Sequence, residues 1–547
     1  MASWLLASAI WYHGRSWKRV ERLAERPDLA QRDVLLRLLA ANCETTFGAE
    51  HKFRQIRSLV EYQTHVPVQD FEQLRPYVEA QRNTGAPALT AEAPLFYVQT
   101  SGTTGQPKLI PVPASMLRMH QSEQGLFTYL QYRACPQAFD GKAFGIMGAA
   151  VEGQLGSGHT VGSVSGYLYQ SLPKRLQARF VVPPQVSRIA DYDLKYLVML
   201  RLALAEPNIT YLGSPNPSTF LRLLDILAEK RECLTESLES GSLEPLASLE
   251  QSIRDPIAHR LAPAPVRASL LRTVGQPTFA ALWPNIRLVT TWTGGSCGIA
   301  LDALRPKLPA AARVMELGYQ ASECRGTLAL AAETPAGLPP LHHHVFEFVE
   351  PESWESSRPE FLSLEQLADG KRYYILLTTA AGLYRYFMND LVEVNGFFRR
   401  TPLLRFVQKG KGVTSLTGEK LYEAQAIAAV KSLSSRLTFS PSFFLVVAEE
   451  SRSAYTIFIE VEPGERPDAD AMAAAVDRQL GALNIEYHGK RKSGRLAPPT
   501  VTWLKRGAAE AYKAACVRAG QREGQFKPMI LQYRKDLLLG FDEYLLS

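Results

Sequence analysis

Two periodicities divide the chain. In PSTFLRLLDILAEKRECL (217–234) apolar residues recur at three- and four-residue spacing behind a leading proline, and strong helix formers dominate 17–42 and 188–206, which predicts amphipathic helices. Between them lie short β-rich runs: LFYVQT (95–100), IRLVTTWT (286–293), YYILLTT (373–379), SFFLVVAEE (442–450) and AYTIFIEVE (454–462). Helices alternating with such strands predict an α/β protein with a largely buried sheet. EPESWESSRPE (350–360) reads as an exposed loop between strands. The opening MASWLLASAIWYHGRSWKRV places Arg15, Lys18, Arg19 and Arg22 at helical spacing behind an apolar stretch too short to span a bilayer, so an amphipathic N-terminal helix is expected.

The texture changes after LLRFVQKGKGVTSLTG (403–418). A helix near 419–434, two strands and an alanine-rich helix over 468–483 make a compact α+β unit. The expected division is a large domain over 1–408, a hinge over 409–412, where Gly410 and Gly412 lower the cost of backbone rotation, and a small mobile α+β domain over 413–547. A chain of 547 residues, 46% hydrophobic and 21% charged, is long enough for two domains. Its 61 basic and 54 acidic residues form no block of either sign, so neither a nucleic-acid tail nor a membrane anchor is expected. The scattered cysteines (Cys43, Cys135, Cys233, Cys297, Cys324, Cys516) form no CxxC pair, which fits reduced thiols in a soluble cytoplasmic protein.

FYVQTSGTTGQPKLIPVP (96–113) carries the clearest chemistry. A strand feeds into a loop where Gly102 and Gly105 let backbone approach an anion, Ser101, Thr103 and Thr104 offer hydroxyls, and Lys108 offers a mobile positive charge. On residues alone this is either an ordinary turn or a phosphate cradle. It is not a Walker loop, because the GxxxxGK[ST] spacing is absent and Pro111 and Pro113 prevent a helix from starting after the lysine. A strand–loop–strand continuation is expected.

TSGTTGQPK (100–108) resembles the phosphate loop of the adenylate-forming superfamily, and further segments follow in that superfamily's order: TGGS (293–296), GYQASE (318–323), GLYRYFMND (382–390) and GQFKP (524–528). YQASEC and TTAAGLYRYFMND resemble the Gretchen Hagen family of acyl acid amido synthetases more than CoA ligases. The lead-in NCETTFGAEHKFRQIRSL and LWPNIRLV (282–289) are similar to that family too. The resemblance implies a large adenylate-forming domain with a small mobile one, ATP and Mg²⁺ as cofactors, and carboxylic acid and amine substrates. It implies nucleotide contacts at Ser101, Gly102, Thr103, Thr104, Gly105, Lys108, Gly294, Gly295, Tyr319, Gln320, Ala321, Ser322 and Asp390, a metal-binding and catalytic Glu323, and a catalytic Lys527.

Each role has a physical basis. Glu323 offers a carboxylate for Mg²⁺ against phosphate oxygens, although an exposed loop glutamate fits the bare residues as well. Tyr319 offers a flat face for adenine or is a half-buried structural tyrosine. Asp390 can accept from two ribose hydroxyls or cap the turn before LVEVNGF. Lys527 can bridge an α-phosphate and an acyl carboxylate, or be a solvated surface lysine. Two departures from the family pattern stand out: Asn389 where glycine usually precedes the aspartate, tolerable because asparagine accepts left-handed backbone, and Lys409 where arginine is frequent at the hinge. In LHHHVFEF (341–348), read as a strand, His342 and His344 share one face and His343 takes the other, so no complete metal site is expected. The expected reaction is adenylation of a carboxylate followed by amide formation. Transfer to CoA or an acyl carrier is the alternative, and a degenerate nucleotide-binding scaffold the lesser one.

Overall fold

The structure is a computed structural model that describes residues 2–100, 108–294, 297–354, 356–410, 412–414, 416, 419, 421–434, 441–462, 467–492, 496–521 and 523–546. The N-terminal helix forms over Ala2–Leu23. The helical run over 17–42 is not continuous: Pro27 starts a second helix, Pro27–Ala41, because proline suits a first turn and breaks a helix interior. A third long helix, Phe71–Thr84, is framed by a reciprocal Asp70–Gln73 capping box and ends at left-handed Gly85. The strands Pro94–Thr100 and Lys108–Pro113 pair antiparallel with Thr100 opposite Lys108, the strand–loop–strand course expected of a loop followed by prolines.

Two sheets position the centre of the molecule. One is four-stranded and parallel, in the order Lys142–Gly145, Ile209–Gly213, Leu288–Thr291, Arg313–Glu316. Helices Tyr192–Ala205 and Ser218–Glu229 pack on it through Val198, Leu202, Phe220 and Leu223, against Leu212, Val289 and Val314. The other is six-stranded and antiparallel, with Val345–Val349, Arg372–Thr378, Tyr386–Phe398 and Thr401–Lys409 as its long members. Further along, Phe444–Glu449 and Ala454–Glu460 form the middle of a third sheet, flanked by Thr500–Leu504 and Leu531–Tyr533. Helices Glu423–Ser434 and Ala469–Leu483 share with it a core that includes Val430, Phe444, Ile457, Val476, Trp503 and Phe541. All six cysteines are free thiols, and among the described residues no helix is long and apolar enough to cross a membrane.

Three local expectations change. The 350–360 segment begins with a short helix, Pro351–Trp354, whose Trp354 stacks on Phe387 at 4.2 Å. Asp390 lies inside the strand Tyr386–Phe398 rather than in a turn before it. The histidine run is not a strand. Pro339 and Pro340 open a turn, in which Leu341 N–H donates to Pro339 O and His343 N–H to Pro340 O, and the strand starts only at Val345. A carboxylate does reach these histidines, from 220 residues earlier in the chain. Glu123, fully buried on the helix Ala114–Ala134, lies 3.2 Å from His120 Nδ1, 2.9 Å from His343 Nδ1 and 3.3 Å from His344 Nε2. Among the described residues, no group of three or more His, Cys, Asp or Glu side chains is arranged to hold a metal ion.

Burial pushes Glu123 up, but the three histidine contacts outweigh it and hold the carboxyl well below its ordinary range. Burial, reinforced by the neighbouring His343, pushes His342 down to about 3. Burial also lowers His344, against the opposing pull of Glu123. A depressed histidine contributes fully above its unfolded value near 6.5 and loses that contribution as pH falls toward the folded value. Urea-melt stability should therefore drop between pH 7 and 5, with His342 alone accounting for about 2 kcal/mol at pH 5. His342→Gln should flatten that slope; a flat wild-type profile over the same window would contradict this reading.

Candidate active site

In a parallel sheet the crevice beyond the carboxyl ends of the strands collects the loops that do chemistry. Here backbone bonds carry the ladder past the strand ends: Ile146 N–H donates to Gly213 O, Ser214 N–H to Thr290 O, Trp292 N–H to Pro215 O and Leu317 N–H to Thr291 O. Glu316 ties two of these loops together. Its Oε2 accepts from Thr293 N–H at 2.7 Å and from the Thr293 hydroxyl, and its Oε1 accepts from Gly318 N–H at 3.1 Å. Burial raises the Glu316 carboxyl despite these donors. Gly318 sits at φ +96, and a Cβ there would meet Thr327 O at 2.4 Å, so only glycine serves the turn that leads into Tyr319.

Tyr319 is buried, and its hydroxyl donates to Asp390 Oδ2 at 2.6 Å. Its ring packs against Gly326 on the neighbouring backbone and stacks on Phe406, with centroids 5.7 Å apart and planes 10° apart. Burial and the Asp390 charge push the Tyr319 phenol far up, so it stays a hydrogen-bond donor. Beyond it, Gln320 bridges Arg325, and with its amide oxygen turned to the guanidinium it accepts at 3.0 Å. Ala321 N–H donates to Cys324 O, closing a turn that carries Ser322 and Glu323, both half-buried.

Asp390 approaches from the antiparallel sheet. Asn389 has φ 52, the left-handed backbone that asparagine tolerates where glycine would otherwise stand. The strand register shifts here, from Leu376 opposite Phe387 to Tyr374 opposite Leu391, while Asp390 pairs with Lys409 on the other side. Asn389 O accepts from Gly410 N–H at 2.8 Å, and a Cβ on Gly410 would meet the Asn389 side chain at 2.0 Å. The arginine of GLYRYFMND is a packing residue: Arg385 is buried and ion-paired with Glu347 at 3.0 Å.

Lys108 Nζ donates to Tyr386 Oη at 3.2 Å, and Tyr386 feels the charges of both Glu323 and Asp390. Lys527 Nζ lies 4.0 Å from the Phe406 ring centroid and 5.7 Å from that of Trp292. The structure thus joins Tyr319, Asp390, Phe406 and Lys527 in one chain of contacts, while Lys108 bonds Tyr386, which lies within electrostatic reach of Glu323 and Asp390. Thr293 and Gly294 follow the strand Leu288–Thr291 into the same crevice, and Gly294 approaches Phe406 O. Ser101, Gly102, Thr103, Thr104, Gly105 and Gly295 lie outside the described residues. Sequence reasoning missed Phe406, Trp292, Tyr386 and Glu316. Trp292 and Tyr386 stood inside or beside quoted motifs, whereas Phe406 carried no signal.

A large α/β part with a parallel-sheet crevice and a lysine entering from a separate C-terminal α+β unit defines the adenylate-forming class. The chain superposes on a 2-hydroxyisobutyryl-CoA ligase in the postadenylation state with a TM-score of 0.55, over 90% of this chain and 92% of that chain at 12% identity. It matches the GH3 family N-terminal domain over 16–310, the GH3 family central domain over 338–409 and the GH3 family C-terminal domain over 424–535. The protein belongs to the GH3 family, the Gretchen Hagen family its motifs resemble. Indole-3-acetic acid-amido synthetase GH3.8 of Oryza sativa subsp. indica is 24% identical, with 93% of this chain and 89% of that protein covered. Indole-3-acetic acid-amido synthetase GH3.15 of Arabidopsis thaliana is 23% identical over 93% of this chain and 91% of its own length. A solved structure of AtGH3.15 acyl acid amido synthetase in complex with 2,4-DB superposes with a TM-score of 0.86, over 98% of this chain and 96% of that chain at 22% identity.

Tyr319→Phe removes one donor from a buried carboxylate, which should cost about 1.5–3 kcal/mol in a urea melt at pH 7. Tyr373→Phe, at another buried tyrosine, serves as the comparison. Equal small losses in the two variants would show that the Tyr319–Asp390 bond is not special.

Proposed function

We propose that the crevice activates a carboxylic acid with ATP and passes the acyl group to an amine, an amino acid in the first instance. Family membership makes the chain an ATP-dependent, AMP-forming acid–amino acid ligase. The observation that carries the residue assignments is the approach of Lys527 to Phe406, whose ring stacks on Tyr319, itself bonded to Asp390.

In the first half-reaction a carboxylate oxygen attacks the α-phosphorus and the bond to pyrophosphate breaks, leaving an acyl-adenylate. Asp390, oriented by Tyr319, receives the ribose hydroxyls. Tyr319 and Phe406 wall the adenine side together with Gly294, Gly295 and the backbone of Gln320, Ala321 and Ser322. The amides and hydroxyls of Ser101, Gly102, Thr103, Thr104 and Gly105 hold the terminal phosphates with Lys108, and Lys527 offsets charge developing at the α-phosphate. Glu323, a half-buried carboxylate near the Lys108–Tyr386 pair, suits a divalent ion that takes one or two carboxylates and completes its shell with phosphate and water. Mg²⁺ held there would neutralise phosphate charge. We place the hinge at 409–412, about which 413–547 would rotate to let the amine reach the acyl carbon. The C–N bond then forms as the bond to AMP breaks, and the amine gives up its proton. Closure on either side keeps water from the anhydride. Residues 148–171 and the helix near 120–132 are the proposed acyl pocket.

The names of the relatives and the 2,4-DB complex make indole-3-acetate and 2,4-DB the first acids to try, in a panel scored with mixed amino acids and with CoA. Acid-dependent pyrophosphate release and a new amide are expected, with the first step lowered about 10²–10³-fold by Lys527→Ala. A CoA thioester with no amide from any amine would overturn the acceptor assignment. Silence across the panel would overturn the enzyme.

A further inference from the structure

Lys527 is held in the crevice by contacts outside the residues assigned to nucleotide. Asn216 lies just beyond the strand Ile209–Gly213, between Pro215 and Pro217, and is buried. Its side-chain Nδ2 donates to the backbone carbonyl of Phe526, the residue immediately before Lys527. The rest of Asn216 is fixed from its own side. Oδ1 accepts from Ser218 N–H at 3.0 Å, its carbonyl accepts from the Ser214 hydroxyl at 3.2 Å, and the flanking prolines restrict backbone rotation. A second contact lies four residues before Lys527. Tyr196, on the helix Tyr192–Ala205, donates its hydroxyl to Glu523 Oε1 at 3.2 Å, and the same oxygen pairs with Lys513 Nζ at 2.8 Å. Tyr196, Lys513 and Glu523 are 4%, 8% and 9% exposed, so this triad is also desolvated.

Three further ion pairs cross the same boundary among the described residues; Arg222–Glu510, at 3.9 Å, is the longest of them. Arg506–Asp225 at 2.9 Å and Lys431–Asp302 at 2.8 Å are solvent-exposed pairs, which contribute little net free energy. A buried hydrogen bond made by a rigid donor fixes position far better, because moving the acceptor leaves a desolvated amide without a partner. We propose that Asn216 is a positioning residue for Lys527: its amide, aimed by the proline-flanked loop, latches the Phe526 carbonyl and sets the lysine against Phe406 and Trp292, with Tyr196–Glu523 as the second point of the latch. Both contacts would break when 413–547 rotates, so the latch favours the adenylating orientation and opposes the amide-forming one.

The kinetic side of this inference rests on the adenylating role proposed for Lys527; the structural side does not. Asn216→Asp separates the functions of one side chain, since a carboxylate still accepts from Ser218 N–H but presents an acceptor to the Phe526 carbonyl. Hydrogen exchange on the full chain without substrates should show peptides covering 214–218 and 523–527 exchanging at least about tenfold faster, with the strand Phe444–Glu449 unchanged; Tyr196→Phe should give a smaller effect in the same peptides. Acid-dependent pyrophosphate release should fall at least about tenfold in kcat with KM for ATP held within about twofold, while amide formation from supplied acyl-adenylate is retained within about twofold. Unchanged exchange in both variants overturns the latch. So does an equal loss in both half-reactions, or exchange that rises throughout the chain, which would mark a general folding defect. If the wild-type protein releases no pyrophosphate with any acid, the functional reading fails and the exchange result alone decides the latch.

Discussion

A buried hydrogen bond ties together the two sides of the crevice. Tyr319 leaves the end of the parallel sheet and Asp390 lies in the antiparallel one, and the phenol donates to the carboxylate at 2.6 Å with both groups buried. A buried carboxylate is costly unless donors meet it, so this contact sets the direction of the aspartate. The flanking geometry serves the same end. Gly318 admits a turn no other residue could make, Asn389 adopts a left-handed backbone that re-aims the strand, and Glu316 gathers the Thr293 and Gly318 amides beneath the crevice.

Phe406 extends that constraint toward the small unit. It sits on the last long strand before the proposed hinge, lies against Tyr319 on one contact and under the Lys527 ammonium on another. Aromatic rings attract cations without tying them to a fixed hydrogen-bond geometry, which suits the leaving and returning proposed for this lysine. The enforced position comes instead from backbone contacts beside the lysine, where the Phe526 carbonyl meets Asn216. On the large side the crevice is fixed by buried hydrogen bonds, while on the small side it depends on a few contacts that the proposed rotation would break.

Much of this was legible in the sequence because it was local. The run of strands, the proline-rich exit from the glycine loop and the tolerance of Asn389 for left-handed backbone follow from neighbouring residues, while the grouping of GYQASE with GLYRYFMND came from the family resemblance. What escaped was long-range. Glu123 meets His343 across 220 positions, so no spacing rule could place a carboxylate beside the histidine run. The turn at Pro339–Pro340 defeated a strand reading built on the apolar residues after it. Phe406 is one apolar position among several on its strand, and Asn216 stands between two prolines; the acceptor for its Nδ2 comes from a segment 310 positions away. Gln320 shows the converse: a motif residue whose side chain is engaged by Arg325.

The central claim is that the acid is activated as an acyl-adenylate in this crevice before the amide forms. Carboxylate labelled with ¹⁸O, turned over with ATP and an amino acid and analysed by mass spectrometry of the nucleotide, tests it most directly. Attack of the acid on the α-phosphorus must leave one labelled oxygen in AMP when the amide forms, and that is the expected result. Label recovered in inorganic phosphate with ADP as the nucleotide product, or AMP free of label, would contradict it.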